Sequence, residues 1–302
     1  MTLHRFEQLI GNTPLIQVEN KIFAKFETFN PSGSVKDRMV SYIIENALKN
    51  DKIGEYTILL EASSGNTGVS LAMIGARLGY KVEIVMPCNM SEERKQLIRF
   101  FGADIIEVGA NDFKGAIKLR NEMLKNKKRY WSPMQFSNPL NVECHRTTTG
   151  PEIYAGIYHY LKSANNSFGA FVHGSGTGGT MMGVWEFFKK DVVKHNKTLK
   201  KLDFVLTTPA ESSISHGIQG INDGADFLLD KNILSEEIKI KTNDAIDYMK
   251  KLGRDKGLMV GISSAANVLA AKVWIQNNPH KGNVITILCD RGERYMHGLA
   301  LC

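Results

Sequence analysis

The sequence predicts an α/β protein with two domains, each built on a mainly parallel, twisted sheet flanked by helices. Short apolar runs rich in β-branched residues alternate with longer helical segments, which is typical of parallel strands joined by crossover helices. The 302 residues suffice for two such units. A content of 43% hydrophobic and 23% charged residues excludes disordered, collagen-like and coiled-coil classes. No apolar run reaches the length of a membrane span.

Strand–helix repeats fill the middle of the first half of the chain. The predicted strands are TILLEA (57–62), KVEIVMP (81–87) and DIIEVGA (104–110). The helices predicted to follow them are VSLAMIGARLGY, which ends at Gly79, SEERKQLIRFFGA, for which Ser91 is a suitable N-cap, and FKGAIKLRNEMLKN. This order predicts one parallel sheet for the region.

The pattern resumes after a break near 141–150, which separates two α/β units. A helix is predicted over about 151–162. The strands predicted after it are GAFVHG (169–174), LDFVLTTPA (202–210) and NVITILCD (283–290), with a helix in MMGVWEFFKK after the first of them. We therefore predict a second sheet in the C-terminal half.

Charge and cysteine content narrow the ligand class and the compartment. The net charge is +7, but the lysines are spread along the chain, which disfavours nucleic acid and is compatible with an anionic ligand. The four cysteines form no C-x-x-C pair and no zinc-ligand spacing, so we predict neither a disulfide framework nor a metal site. The N-terminal stretch MTLHRFEQLIGN lacks an uninterrupted apolar segment, so we expect a cytoplasmic protein.

Two glycine-rich loops each follow a predicted strand and precede a helix. They are SSGNTG (63–68) and GSGTGGT (174–180). Backbone N–H groups at a helix start lack helical partners and carry the positive end of the helix dipole, and glycines let an anion approach them closely. Either loop can therefore hold a phosphate or a carboxylate. A plain tight turn remains the alternative for the second loop.

The second loop contains the pattern G-x-G-x-x-G, but a dinucleotide site is disfavoured. Such a site needs an acidic residue at the end of the next strand to bind a ribose. That strand ends in Thr207, Thr208 and Pro209, and Glu211 comes only after the proline. No Gly-Lys-Ser/Thr follows, which excludes a Walker P-loop. A small phosphate ester fits the loop better.

Lys36 is the candidate reactive residue. A helix is predicted to begin near Ser34, which places Lys36 in the first turn, where the helix dipole opposes a cation and favours the neutral amine. A neutral lysine amine forms Schiff bases with aldehydes. The alternative is a surface lysine beside Asp37. A reactive lysine, a phosphate site and a second anion-binding loop together predict pyridoxal 5′-phosphate (PLP) as cofactor.

The ordered motifs resemble those of fold type II PLP enzymes, the tryptophan-synthase-β superfamily, and within it cysteine synthase (O-acetylserine sulfhydrylase). The motifs are IGNTPL (10–15), NPSGSVKDR (30–38), EASSGNTG (61–68), QFSNP (135–139), TTTGPEI (147–153), GSGTGGT (174–180), GIQGI (217–221), GISSAAN (261–267) and DRGERY (290–295). The segment MPCNMSEER (86–94) and Cys289 are similar to the B-type enzymes, whereas GIQGI is closer to the A-type. Ser63 and Ala265 depart from the threonine and glycine that are usual in the family.

The resemblance implies a role for each matched residue. Lys36 would form the Schiff base and transfer the proton, and Asn66 would bind the 3′-oxygen of PLP. The residues implied for the phosphate are Gly176, Thr177, Gly178, Gly179 and Thr180. Ser263 would face the pyridine nitrogen. The residues implied for the substrate carboxylate are Ser63, Ser64, Thr67 and Gln135. Cys289 would line the site and influence the choice of sulfur donor, with an inert buried cysteine as the alternative.

The resemblance also implies an organisation and a reaction. PLP would lie in the cleft between a smaller, mobile domain (36–145) and a larger domain (1–35 and 146–302). The reaction would form L-cysteine, or S-sulfocysteine, from O-acetylserine and sulfide, or thiosulfate, through an α-aminoacrylate intermediate. We expect a homodimer, with serine acetyltransferase as a candidate partner. The alternatives are β-replacement on O-phosphoserine or on serine with homocysteine, deamination of serine or threonine, and a weakly catalytic binding or regulatory protein of the same fold.

Overall fold

The computed structural model describes residues 6–63, 65–161, 167–192, 202–211, 217–218, 220–221 and 227–296. Within them the strands form two sheets, a large sheet and a small sheet. The strands of the large sheet are β1 (Leu15–Glu19), β2 (Ile22–Phe26), β7 (Phe168–Gly174), β8 (Asp203–Pro209), β9 (Glu236–Ile240) and β10 (Asn283–Leu288). The strands of the small sheet are β3 (Ile58–Ala62), β4 (Val82–Pro87), β5 (Asp104–Val108) and β6 (Tyr130–Trp131).

Both sheets have the mainly parallel pairing that was predicted. The large sheet has the order β1-β2-β10-β7-β8-β9, in which only the β1–β2 pair is antiparallel. The small sheet has the order β5-β4-β3-β6 and is parallel throughout. The α-helices are α1 (Lys36–Lys49), α2 (Asn66–Leu78), α3 (Glu92–Phe100), α4 (Phe113–Met123), α5 (Leu140–Cys144), α6 (Gly150–Leu161), α7 (Gly179–Glu186), α8 (Thr242–Lys256) and α9 (Ile262–Asn277). The α/β fold prediction is confirmed.

The local predictions differ from the structure in a few places. The sequence analysis missed the β1–β2 hairpin, strand β9 and helices α8 and α9. Helix α2 begins at Asn66, inside the first glycine-rich loop, rather than after it. Ser91 is at the N-cap of α3, but its hydroxyl makes no capping hydrogen bond and lies instead 3.4 Å from the Arg294 carbonyl oxygen. The predicted N-cap position is confirmed, but the hydroxyl is engaged in a tertiary contact instead of a capping hydrogen bond.

Each sheet is buried on both faces. Along β7, Ala170 and Val172 pack in one apolar cluster and Phe171 packs in another on the opposite face. Leu59 and Leu60 on β3 are divided in the same way between two clusters. Two-sided burial explains why these strands are almost continuously apolar in sequence. No helix in the described ranges is both long and apolar enough to cross a membrane.

Candidate active site

Two loops and the start of α1 meet at the carboxyl ends of strands β3 and β7. Strand β3 ends at Ala62 and α2 begins at Asn66, while β7 ends at Gly174 and α7 begins at Gly179. The carboxyl ends of parallel strands form the edge at which α/β proteins bind ligands. Two cavities lie there and share part of their walls. The residues that line both cavities are Lys36, Asn66, Gly176, Thr177 and Gly220.

Lys36 is the first residue of α1, and the backbone around it is held from both sheets. The Val35 N–H donates to the Cys289 carbonyl (2.9 Å), just after the end of β10. The Asp37 carboxylate accepts the Ser70 hydroxyl (2.5 Å) from helix α2. Asp37 is fully buried, and burial raises the pKa of its carboxyl. These contacts fix the position of Lys36 relative to both loops.

The first cavity contains the polar groups predicted to bind a substrate carboxylate. Thr67 Oγ1 donates to Gln135 Oε1 (2.7 Å), and Gln135 Nε2 donates to the last carbonyl of β3 (2.9 Å). The Ser63 hydroxyl accepts backbone N–H groups of its own loop at 3.0 and 3.2 Å. The structure therefore brings these three side chains together beside Lys36. The fourth predicted residue, Ser64, lies outside the described residues.

The second cavity has the features of a phosphate site. Gly178 has φ of +88°, a conformation that side chains disfavour, and a Cβ on it would lie 2.5 Å from the Leu229 nitrogen. A Cβ on Gly176 would lie 2.7 Å from the Gly220 carbonyl oxygen. Helix α7 begins directly after these glycines and directs the positive end of its dipole to the loop. The absence of side chains at Gly176 and Gly178 therefore leaves room for an anion to approach the backbone of this loop.

The other predicted phosphate residues are held from helix α5 and the π-helical turn that follows it. Asn141 Nδ2 donates to Thr177 Oγ1 (3.0 Å), and His145 Nε2 lies 3.2 Å from Thr180 Oγ1. Burial lowers the pKa of His145 well below its ordinary value, so this contact is made by a neutral imidazole at neutral pH. Gly179 packs against Asn141, whose Oδ1 would lie 2.1 Å from an added Cβ, rather than lining the cavity.

The far end of the second cavity is lined by Ser263, Cys289 and His173. Burial raises the pKa of the Cys289 thiol to about 12 and lowers the pKa of His173 to about 3. Both side chains are therefore uncharged at neutral pH. No acidic side chain of the described chain lines this cavity.

Several lining residues received no role from the sequence, among them four with large side chains. Arg94 and Phe136 line the first cavity, and His173 and Met181 line the second. The sequence position of His173 indicates a place near the ligand, because His173 is the last residue but one of β7 and precedes the glycine-rich loop. The Arg94 side chain approaches the first loop from helix α3, where a Cβ on Gly65 would lie 2.8 Å from its Nε.

The described cysteines are unpaired with one another, and no metal-ligand cluster is found among the described residues. Among the described residues, Cys88, Cys144 and Cys289 are free thiols, and Cys302 is outside those residues. In the same part of the chain, no group of three or more His, Cys, Asp or Glu side chains is placed to hold a metal ion.

Comparisons with known proteins identify the family. A family model described as "Pyridoxal-phosphate dependent enzyme" matches residues 6–290. The chain belongs to this family. Cysteine synthase B of Campylobacter jejuni is 42% identical over 305 aligned residues, covering 98% of this chain and 98% of that protein. At this identity and coverage the chain is also a member of the cysteine synthases. The predicted family, enzyme class and PLP cofactor are confirmed.

Solved structures of similar enzymes share the fold over nearly the whole chain. The cysteine synthase (OASS) of Entamoeba histolytica superposes with a TM-score of 0.85 at 33% identity, covering 98% of this chain and 90% of that chain. An O-acetylserine dependent cystathionine β-synthase of Helicobacter pylori gives 0.84 at 31% identity, with 98% of both chains covered. These likenesses confirm the fold type that the resemblance implied.

The geometry of the cavities fits PLP. A phosphate needs a cradle without side chains at a helix N-terminus, which Gly176 and Gly178 supply before α7. An aldehyde needs a lysine amine, and Lys36 lines the cavity that holds this cradle. A pyridine nitrogen needs an uncharged neighbour if it is to stay unprotonated, and the Ser263 end of the cavity is uncharged.

Proposed function

We propose that this cysteine synthase forms L-cysteine from O-acetylserine and sulfide, with Lys36 as the residue that binds PLP covalently and moves the substrate proton. Formation of cysteine by β-replacement is the reaction of the family to which the chain belongs. The observation that carries the residue assignment is the place of Lys36 on the wall shared by the two cavities. One cavity offers a phosphate cradle and the other offers a carboxylate site, so a single amine reaches both ligands.

The second cavity would hold the cofactor through three kinds of contact. The loop from Gly176 to Thr180, without Gly179, would bind the phosphate, because these residues line the cavity at the start of α7. Asn66 would donate to the 3′-oxygen, and Ser263 would face the pyridine nitrogen. When bound, PLP acts as the electron sink that makes the α-proton acidic and lets the β-substituent leave.

The first cavity would bind the amino-acid substrate and orient its α-proton toward the Nζ of Lys36. Ser63, Thr67 and Gln135 offer hydroxyl and amide groups to the carboxylate. The Thr67–Gln135 hydrogen bond fixes two of these groups in advance, which lowers the ordering cost of binding. Lys36 Nζ would remove the α-proton and later return it, because it is the basic group on the shared wall.

The domain organisation remains part of the proposal. We assign residues 36–145 to a smaller domain that closes over the substrate, and 1–35 with 146–302 to a larger domain. Helix α1 supports this division, because Met39, Val40 and Ile43 pack in the same apolar cluster as the helices of the small sheet. Substrate binding at the loop that opens α2 would then drive closure.

A second candidate substrate is O-phosphoserine. The Arg94 guanidinium lines the first cavity, and a cation there suits an anionic leaving group. Serine with homocysteine as acceptor is a further candidate, since the Helicobacter pylori relative is described as a cystathionine β-synthase. The Cys289 thiol faces the second cavity and is proposed to influence the choice between sulfide and thiosulfate.

Two assays on the purified protein test the proposal. Borohydride reduction followed by peptide mapping should place the pyridoxyl label on Lys36, and Lys36→Ala should lose cysteine formation. Lys49→Ala, at the other end of α1, is the matched control and should keep both label and activity. Initial rates with O-acetylserine, O-phosphoserine and serine, each with sulfide, thiosulfate or homocysteine, rank the substrates. A label on another residue, or no turnover with any β-substituted serine, would overturn the assignment and leave the binding or regulatory alternative.

We further propose that the protein acts in the cytoplasm as a homodimer and that serine acetyltransferase is a partner. Light scattering measures the mass of the assembly directly. Titration of the transferase into the holoenzyme, followed by calorimetry, tests the partner. A monomer at micromolar concentration, or the absence of heat on titration, would contradict the respective part.

A further inference from the structure

The side chain of Asn66 is held between two buried residues that follow strand β10. Asn66 Nδ2 donates to Asp290 Oδ2 (2.7 Å), a contact that joins residues 224 positions apart. Arg294 Nη1 donates to Asn66 Oδ1 from the opposite side. Asp290 and Arg294 are 0% and 1% exposed. The two charged groups thus bracket one carboxamide inside the protein.

This arrangement permits only one orientation of the carboxamide. A flipped amide would place its oxygen against the Asp290 carboxylate and its N–H groups against the Arg294 guanidinium. Both charge-assisted hydrogen bonds, which are about twice as strong as neutral ones, would then become repulsions. An Asn carboxamide has two N–H groups and one oxygen. Asp290 takes one N–H, Arg294 takes the oxygen, and the second N–H remains for the cavity that Asn66 lines.

The same guanidinium also holds the backbone before Lys36. Arg294 Nη2 donates to the Ser32 carbonyl, four residues before Lys36. Arg294 therefore links the two groups that have to reach neighbouring positions of one ring. In PLP the 3′-oxygen and the aldehyde carbon are on adjacent ring atoms, so the separation of Asn66 and Lys36 has to match them.

We propose that Asp290 and Arg294 are positioning residues that fix Asn66 so that its second N–H donates to the 3′-oxygen of bound PLP. Neither residue lines the cavities, and both act through Asn66. The inference rests on the proposed function, since it takes Asn66 as the neighbour of the 3′-oxygen. The DRGERY segment contains both residues and would thus have a role in positioning Asn66. Tyr295 supports it by donating its hydroxyl to Asp290 Oδ2 (2.7 Å).

The readout is the absorption spectrum of the resting holoenzyme, which needs no turnover. The Schiff base of PLP has a visible-absorbing tautomer with a 3′-oxyanion and a near-ultraviolet tautomer with a protonated 3′-oxygen. A donor at the 3′-oxygen favours the first. Arg294→Lys and Asp290→Asn should each shift the tautomer ratio toward the near-ultraviolet form by about twofold to tenfold, the change expected from one hydrogen bond.

Arg291→Lys is the matched control. Arg291 lies in the same segment and its Nε donates to the Thr28 carbonyl (3.0 Å). The side-chain hydrogen bonds of Asn66 are made with Asp290 and Arg294 and not with Arg291. Its variant should keep the wild-type spectrum. PLP content and a thermal melt of each variant establish that the protein is folded and loaded. If Arg294→Lys does not fold, the comparison is made with Asp290→Asn, which keeps the shape of the side chain.

A double-mutant cycle with Asn66→Ala decides the mechanism. If Arg294 acts through Asn66, Arg294→Lys should not change the spectrum of the Asn66→Ala protein further. An equal shift in both backgrounds, or no shift in either single variant, would overturn the inference while the label on Lys36 keeps the proposed function. An unchanged spectrum in Asn66→Ala would overturn both the inference and the role of Asn66. Absence of the label on Lys36 would instead remove the proposed function itself.

Discussion

Arg38 offers a direct test of how α1, the helix that carries Lys36, is fixed to the rest of the protein. Its guanidinium, 3% exposed, donates Nε and Nη2 to Glu27 (2.6 and 2.8 Å) and Nη1 and Nη2 to Glu152 (both 2.7 Å). Lys25 Nζ lies 2.6 Å from the same Glu152 carboxylate. The two cations balance the two carboxylates. Arg38→Met leaves one cation for two carboxylates, of which Glu27 is fully buried and Glu152 is partly exposed, and it keeps an apolar side chain at this position.

The stability that Arg38→Met should lose follows from the burial of Glu27, which is 0% exposed. Removing one partner of a buried ion pair costs about 3–5 kcal/mol, because the remaining buried charge has no water around it and has lost its hydrogen-bonded counter-ion. At about 2.1 cal/mol/K per residue, unfolding of all 302 residues carries an entropy of about 0.6 kcal/mol/K. Arg38→Met should therefore lower the melting temperature by about 5–8 °C.

The stability difference between wild type and Arg38→Met should depend on pH. Burial acts to raise the pKa of Glu27, but the Arg38 guanidinium prevails and holds it below its ordinary value. The stabilisation by this carboxylate is thus present above the ordinary carboxyl pKa and is lost as pH falls through the lowered one. Arg38→Met removes the strongest influence that opposes burial and leaves only Lys25 and the Thr13 hydroxyl to lower the pKa of Glu27, so this pKa rises and protonation relieves the unpaired charge. The stability difference from wild type should shrink as pH falls from 7 toward 4.

Urea unfolding followed by circular dichroism at pH 7 and pH 5 measures the effect. Arg146→Met is the matched control, because Arg146 makes the same two-point contact with Asp191 (3.0 and 3.1 Å) while both side chains are over one-third exposed. An exposed pair of this kind contributes below about 1 kcal/mol. Equal losses in the two variants, or a difference for Arg38→Met that grows at acid pH, would refute the reasoning.

Three further predictions concern the candidate site. Thr67→Val removes the hydroxyl that donates to Gln135, so the KM for O-acetylserine should rise about three- to tenfold at unchanged PLP content, as measured by steady-state kinetics. Iodoacetamide at neutral pH should modify exposed Cys88 and spare Cys289, whose thiol has a pKa raised by burial to about 12; equal modification in a mass spectrum would contradict this. Burial lowers the pKa of His173 to about 3, so below about pH 6.5 the unfolded chain takes up a proton that the folded chain does not. The free energy of unfolding should therefore decrease as the pH is lowered. His173→Asn should show a shallower fall in urea unfolding, and an unchanged slope would count against it.

The parts of the structure that could be predicted from sequence are those that depend on neighbours in the chain. The strand before each glycine-rich loop, the helix after it and the place of Lys36 in a first helical turn all follow from local pattern and backbone chemistry. The strand NVITILCD was predicted, but not its place between β2 and β7, because strand order depends on pairing between distant segments. The Ser91 hydroxyl makes no capping hydrogen bond for a related reason, since a distant carbonyl competes for it.

The contacts that organise the site could not be predicted in the same way. Asn66 was identified as a ligand from its motif, and Asp290 and Arg294 were part of another motif, but nothing in the sequence indicates that a carboxamide lies between them. The ion cluster around Arg38 is similar. Its members are ordinary charged residues in the sequence, and only the fold brings the two cations and two carboxylates together. Such contacts depend on which elements meet, and that is decided by the whole fold.

The distribution of charge around the second cavity fits the proposal that one lysine moves the substrate proton. At neutral pH the thiol of Cys289 and the imidazole of His173 are uncharged, and Ser263 carries no charge. Two charged side chains, those of Asp290 and Arg294, bond to Asn66 and do not line the cavity. Among the described residues that line this cavity, Lys36 is the only one with an amine side chain, as the proposed proton transfer requires. Removal and return of the α-proton by a single amine would then keep the proton on one face of the substrate, which is what a replacement reaction that retains an amino acid's configuration requires.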